Sequence, residues 1–167
     1  MWANVHLLEL MINYWDHDLG MFDLQGESLE ITFEDIYFID GLSQRGAPVN
    51  LEGTSRGSDT LSVQNYIDVY YASGTQKRGS CIPITHIHNI PLQVLTSTIV
   101  RVARSSSLHL ATWNQMRLAV HYMQGALYDW CSGVIPILRK QLSNCKRGRR
   151  KNFGYSSILG AFFEREF

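Results

Sequence analysis

The sequence predicts a mainly α-helical globular domain with a short β-hairpin near its N-terminus. Apolar residues recur at three- and four-residue spacing along most of the chain, the signature of helices that bury one face. Hydrophobic residues make up 45% and charged residues 18% of the 167 positions, which suits a folded core and not a disordered chain. In one place, Met21 to Leu24 and Leu29 to Ile31, two short apolar runs flank a turn signal, Gln25-Gly26-Glu27. A chain of this length fits one domain, taken here as residues 1–167.

Leu7, Leu8, Met11, Ile12 and Trp15 place an amphipathic helix over residues 3–15, broken by Asp16 to Gly20. After the hairpin, Thr32 and Asp35 form a capping-box-like start to a helix whose buried face is expected from Phe33, Ile36 and Ile39. Gly41 is placed to end that helix in a left-handed cap, and Pro48 after Gly46 keeps the following chain extended. Residues 50–60 have no apolar period and predict a loop. Val63, Tyr66, Ile67, Tyr70 and Tyr71 restore a helix, which Ser73 to Ser80 ends.

Residues 81–90 fit extended chain or loop equally. Pro91 suits the first turn of a helix carrying Leu92, Leu95, Ile99 and Val102, followed by a turn at Ser105-Ser106-Ser107. The clearest pattern is Trp113, Met116, Val120, Met123, Leu127 and Trp130, expected as one long central helix with Gly125 inside it. Pro136 is expected to restart a shorter helix with Ile137, Leu138 and Leu142. Ile158, Leu159, Phe162 and Phe163 make a last helical face, capped by Ser156 or Ser157. So much aromatic surface at a terminus predicts a truncated domain whose next element would cover it.

Fifteen basic and fifteen acidic residues cancel, so the broad positive field of a dedicated nucleic-acid binder is missing and any such binding is local. Cys81, Cys131 and Cys145 are widely spaced, without the paired steps of zinc or redox motifs, and predict reduced thiols. The opening segment lacks a basic n-region, and the longest uncharged stretch, residues 79–100, holds two prolines and several polar side chains. The expectation is an intracellular protein with no membrane contact.

Residues 7–28, LLELMINYWDHDLGMFDLQGES, and 31–49, ITFEDIYFIDGLSQRGAPV, resemble the start of the plant mobile domain family, also labelled aminotransferase-like. The matching positions are Trp15, Phe22, Thr32, Phe33, Glu34, Asp35, Ile36, Gly41, Leu42, Gly46, Pro48 and Val49, and residues 153–166 resemble a later turn into an apolar helix. The middle, residues 51–105, is similar only weakly. The resemblance implies a helical domain of transposable elements and of host nuclear proteins in transposon silencing and genome maintenance, with protein partners. It implies no cofactor and no catalytic residue.

The residues agree with a non-enzymatic module. A pyridoxal-phosphate enzyme needs an enclosed lysine, whereas Lys77, Lys140, Lys146 and Lys151 lie in polar or basic surroundings. His86, His88 and Cys81 fall short of a metal ligand set, so neither metal nor cofactor is expected. Glu34 and Asp35 suit the positive end of a helix dipole, and Asp16, His17 and Asp18 suit a solvated turn. The aromatics Tyr66, Tyr70, Tyr71, Trp113, Trp130, Phe162 and Phe163 are expected in the core, with a protein-docking face as the competing reading. The one strong charge cluster is Lys146, Arg147, Arg149, Arg150 and Lys151, near Arg139 and Lys140. It is a solvated loop, or else the contact of a nucleic-acid-binding module or a nuclear-import address.

Overall fold

Local chemistry fixes the first elements of the computed structural model, which describes residues 5–52, 65, 67–72, 74, 81–103, 109–148 and 156–166. Helix α1 (Val5–Asn13) buries Leu8 and Met11 and ends before Trp15. The strands β1 (Trp15–Asp16), β2 (Met21–Leu24) and β3 (Glu27–Leu29) pair antiparallel in that order. Gln25 and Gly26 both have positive φ, 57° and 100°, as a tight turn matched to the strand twist requires. The expected hairpin is therefore present, widened to three strands by Trp15, which pairs with Phe22.

Helix α2 (Phe33–Asp40) starts at the expected capping box. Thr32 Oγ1 accepts from the Asp35 amide at 3.3 Å, and the Asp35 carboxylate accepts from the Thr32 amide at 2.7 Å. Gly41 closes it with φ 68° and donates its amide to Tyr37 O. Strand β4 (Ala47–Pro48) follows, extended as predicted.

The chain divides into two compact units, one of residues 1–49 with 128–167 and the other of residues 50–127. In the first, β4 pairs in parallel with β7 (Tyr128–Asp129), and helices α5 (Trp130–Lys146) and α6 (Ser156–Glu166) pack against both α1 and α2. Its core holds Trp15, Phe22, Ile36, Leu138, Phe162 and Phe163. Edge-to-face ring contacts run from Trp15 to Phe22 at 5.1 Å and from Phe22 to Phe163 at 5.2 Å.

In the second unit, β5 (Cys81–Pro83) and β6 (Leu110–Thr112) pair antiparallel, and a single 3₁₀ turn, Ile84–His86, leads toward helix α3 (Ile90–Val102). Asn89 caps α3, with Pro91 in its first turn as the sequence predicts. Helix α4 (Trp113–Met123) begins with a second reciprocal box between Thr112 and Gln115 and packs against α3. Residues 67–70 are helical, and Tyr71 bridges to Ile87 and is buried. Residues 53–60 of the loop expected over residues 50–60, and the turn at Ser105 to Ser107, lie outside the described residues.

Four expectations need correction. The seam from Trp113 to Trp130 is not one helix: α4 ends at Met123 with Gln124 as its cap, Gly125 turns at φ 94°, Leu127 is 72% exposed, and Asp129 caps a new helix. Pro136 lies inside α5 and does not restart a helix. Phe33 is not on the buried face of α2, since 48% of it meets solvent while Ile36 is wholly buried. Phe162 and Phe163 are already covered, 1% and 2% exposed, so they do not form the uncovered surface predicted at the end of the chain.

Candidate functional site

Several residues singled out by the resemblance, Trp15, Asp35, Leu42 and Val49, are tied into one assembly. Trp15 lies in β1, where its indole N–H donates to Ser143 Oγ of α5 at 3.0 Å, and Ser143 in turn donates to Arg139 O. The Trp15 carbonyl accepts from the Lys146 ammonium. Asp35, 5% exposed at its side chain, accepts from the Thr32 amide and hydroxyl and from the Arg165 guanidinium of α6. That carboxylate uses both oxygens, which is what a buried charge requires.

The turn after α2 is tied to the start of α5 in the same way. Cys131 donates its amide to Ser43 O at 3.3 Å and its thiol to Leu42 O at 3.2 Å, and the Val49 amide donates to Ser132 Oγ at 3.1 Å. Burial, helped by the nearby Asp129 and Asp40 carboxylates, pushes the Cys131 thiol up to about 11. At neutral pH it is protonated and can donate to the Leu42 carbonyl. Gly41, Leu42, Gly46 and Pro48 therefore form a backbone connection anchored by α5 and β7.

This scaffold leaves the outer side of α2 open. Phe33, Tyr37 and Phe38 are 48%, 46% and 68% exposed, and Glu34 is exposed among them. Positions three and four apart on a helix are neighbours, so Glu34 lies beside Tyr37 and Phe38, and Phe33 beside Tyr37. The Tyr37 and Phe38 rings meet edge to face at 5.3 Å. Glu34 and Asp35 thus have different roles: Asp35 caps the helix and pairs with Arg165, while Glu34 has no ion pair among the described residues. Tyr37 and Phe38 were not singled out from sequence, although two adjacent aromatics on a short helix cannot both face one core.

The other candidates are dispersed. Lys146 and Arg147 are exposed at the end of α5, and Arg149, Arg150 and Lys151 lie outside the described residues. Arg139 is paired with Glu30 at 2.6 Å. Lys140 is exposed, as the sequence suggested, and Lys77 is outside the described residues. Cys81, His86 and His88 are not gathered into a common ligand group; the His86 carbonyl and the His88 amide bond to Ala72 and Tyr70.

Among the described residues, the donors that do gather are Asp16, His17 and Asp18, within 4.8 Å of one another. They form a solvated turn in which Asp16 Oδ1 accepts from the amides of Asp18 and Leu19 at 2.8 and 3.0 Å. The Leu19 and Asp18 amides hold that carboxyl below its ordinary value. His17 pairs with Asp18 at 3.1 Å. An open apolar groove of about 310 Å³ lies between α1 and the hairpin, lined by Leu7, Met11, Tyr14, Leu24 and Gln25.

Of the aromatics expected in the core, Tyr71, Trp113, Phe162 and Phe163 are buried, Tyr70 and Trp130 are half-buried, and Tyr66 is outside the described residues. No helix among the described residues is long and apolar enough to cross a membrane. Comparisons with protein-family profiles, curated proteins and solved structures return no match.

Proposed function

We propose that the chain is a non-enzymatic protein-interaction module of the nucleus, acting in transposon silencing and genome maintenance. The observation that carries this reading is the solvent-facing aromatic set Phe33, Tyr37 and Phe38 on α2. Exposed clustered aromatics at a rigid helix are typical anchors of protein interfaces. The nuclear and silencing context comes from the resemblance of residues 7–28, 31–49 and 153–166 to plant mobile domains.

The geometry favours this over a nucleic-acid-binding module. Lys146 is drawn onto the Trp15 carbonyl and Arg139 onto Glu30, while the α2 surface carries a carboxylate that would repel phosphate. A photo-crosslinking amino acid placed at Phe38 and expressed in plant nuclei tests the reading. The expected product is a cross-link to a chromatin silencing protein, missing when the same group replaces Leu10, which is exposed on α1. Cross-links to neither, or equally from both positions, would contradict it.

A further inference from the structure

We propose that the outer face of α2 docks an arginine-bearing segment of a partner protein, the guanidinium lying on the Tyr37 and Phe38 rings and pairing with Glu34. The inference rests on the docking role above and adds the chemistry of the partner. It follows from charge. The exposed residues of α2 are Thr32 at its cap, Phe33, Glu34, Tyr37, Phe38 and Asp40, so the surface has aromatic rings and acidic groups and no cation.

Neighbouring charges are already committed: Glu30 holds Arg139 and Asp35 holds Arg165, both through side-chain pairs. Glu34 has no counter-ion among the described residues, and it is one helical turn from both Tyr37 and Phe38. A cation over an aromatic face is attracted by the ring quadrupole, and a carboxylate at the ring edge adds a charge-assisted hydrogen bond. Arginine fits this surface better than lysine. Its guanidinium is planar, weakly hydrated and able to stack while donating sideways, whereas an ammonium gives up more hydration to lie on a ring.

The helix that carries the rings is fixed at both ends, by the capping box at Thr32 and the left-handed turn at Gly41, and the Gln44 amide donates to Phe33 O at 3.2 Å. The Tyr37 and Phe38 rings stand at 71° to each other, so a side chain laid on one meets the edge or face of the other. Little ordering of the helix is then needed on binding.

The test is a titration of the full chain, isotope-labelled for nuclear magnetic resonance, with a capped Leu-Arg-Gly repeat peptide and its lysine and glutamate counterparts. The expected result is saturable shifts confined to residues 33–40 with the arginine peptide, and affinity about tenfold weaker with the lysine peptide. Glu34→Gln should weaken the arginine peptide by about fivefold to tenfold and Glu34→Lys should abolish its binding. Equal binding of the glutamate peptide, shifts centred on the Asp16 to Asp18 turn, or an unaffected Glu34→Lys variant would overturn the proposal. Failure of the titration with a cross-link from position 38 in nuclei overturns the arginine chemistry and leaves the docking role. A successful titration without the nuclear cross-link does the reverse.

Discussion

Asp35 and Arg165, 130 residues apart in sequence, are joined by a side-chain ion pair that fastens the first turn of α2 to the last turn of α6. Asp35 is buried and also completes the Thr32 capping box, whereas the guanidinium of Arg165 is 45% exposed. Removing the carboxylate loses the cap and the pair, and removing the cation leaves one oxygen of the buried carboxylate unanswered. Asp35→Ala and Arg165→Ala are each expected to destabilise the fold by about 2–3 kcal/mol. A double-mutant cycle in urea unfolding should give a coupling well above zero; additive losses would show that the pair contributes nothing.

Trp15 offers a cleaner separation of packing from hydrogen bonding. Trp15→Phe keeps an aromatic ring against Phe22 but loses the bond to Ser143, and should cost about 1–2 kcal/mol. Trp15→Ala also opens a cavity and should cost about 3–5 kcal/mol. The check is denaturant unfolding of both variants with Ser143→Ala as reference.

Pro136 sits in the interior of α5, where it lacks the amide that would bond to Ser132 O, and it is exposed. Pro136→Ala restores that donor in a helix otherwise well formed. The expected outcome is stabilisation by about 1 kcal/mol or more, read as a raised melting temperature.

Cys131 links stability to alkaline pH. Its thiol is raised from 9.0 to about 11 in the folded chain, so below pH 9 both states hold the proton and its contribution is complete. As pH rises from 9 toward 11 the unfolded thiol ionises first, and stability falls. Cys131→Ser keeps a donor for Leu42 O and removes the titration, so its urea midpoint should decline less between pH 9 and 10. Tyr71, raised by burial from an ordinary 10.0, adds a similar decline only above that value, in wild type and variant alike.

Local signals were legible in the sequence. The Thr32 and Asp35 box, the Gly41 cap, the Gln25-Gly26 turn and the Pro91 start each depend on a few adjacent residues whose backbone chemistry is decisive. The faces of helices were less so. FEDIYFID has apolar residues on two sides, and which side is buried is set by α5 and α6, about a hundred residues later. Phe33 was thus placed inside and the Tyr37 and Phe38 pair passed over.

The Trp113 to Trp130 seam misled because Leu127 keeps the apolar period while Gly125 and Asp129 end one helix and begin another. Asp129 followed by Ser132 was the overlooked signal: the carboxylate accepts from the Ser132 amide at 3.0 Å. The ties from Trp15 to Ser143 and from Asp35 to Arg165 carry no mark in the sequence, because side-chain pairing across more than a hundred residues is a product of the fold.

The central claim is that Phe33, Tyr37 and Phe38 face outward to meet a partner, and one variant tests it. Phe33→Ser, Tyr37→Ser and Phe38→Ser combined should leave unfolding free energy within about 1 kcal/mol of wild type, as exposed positions do. The same variant should lose co-purification of the partner cross-linked through position 38. A large loss of stability, which would make these rings part of the core, or full retention of the partner would contradict the account.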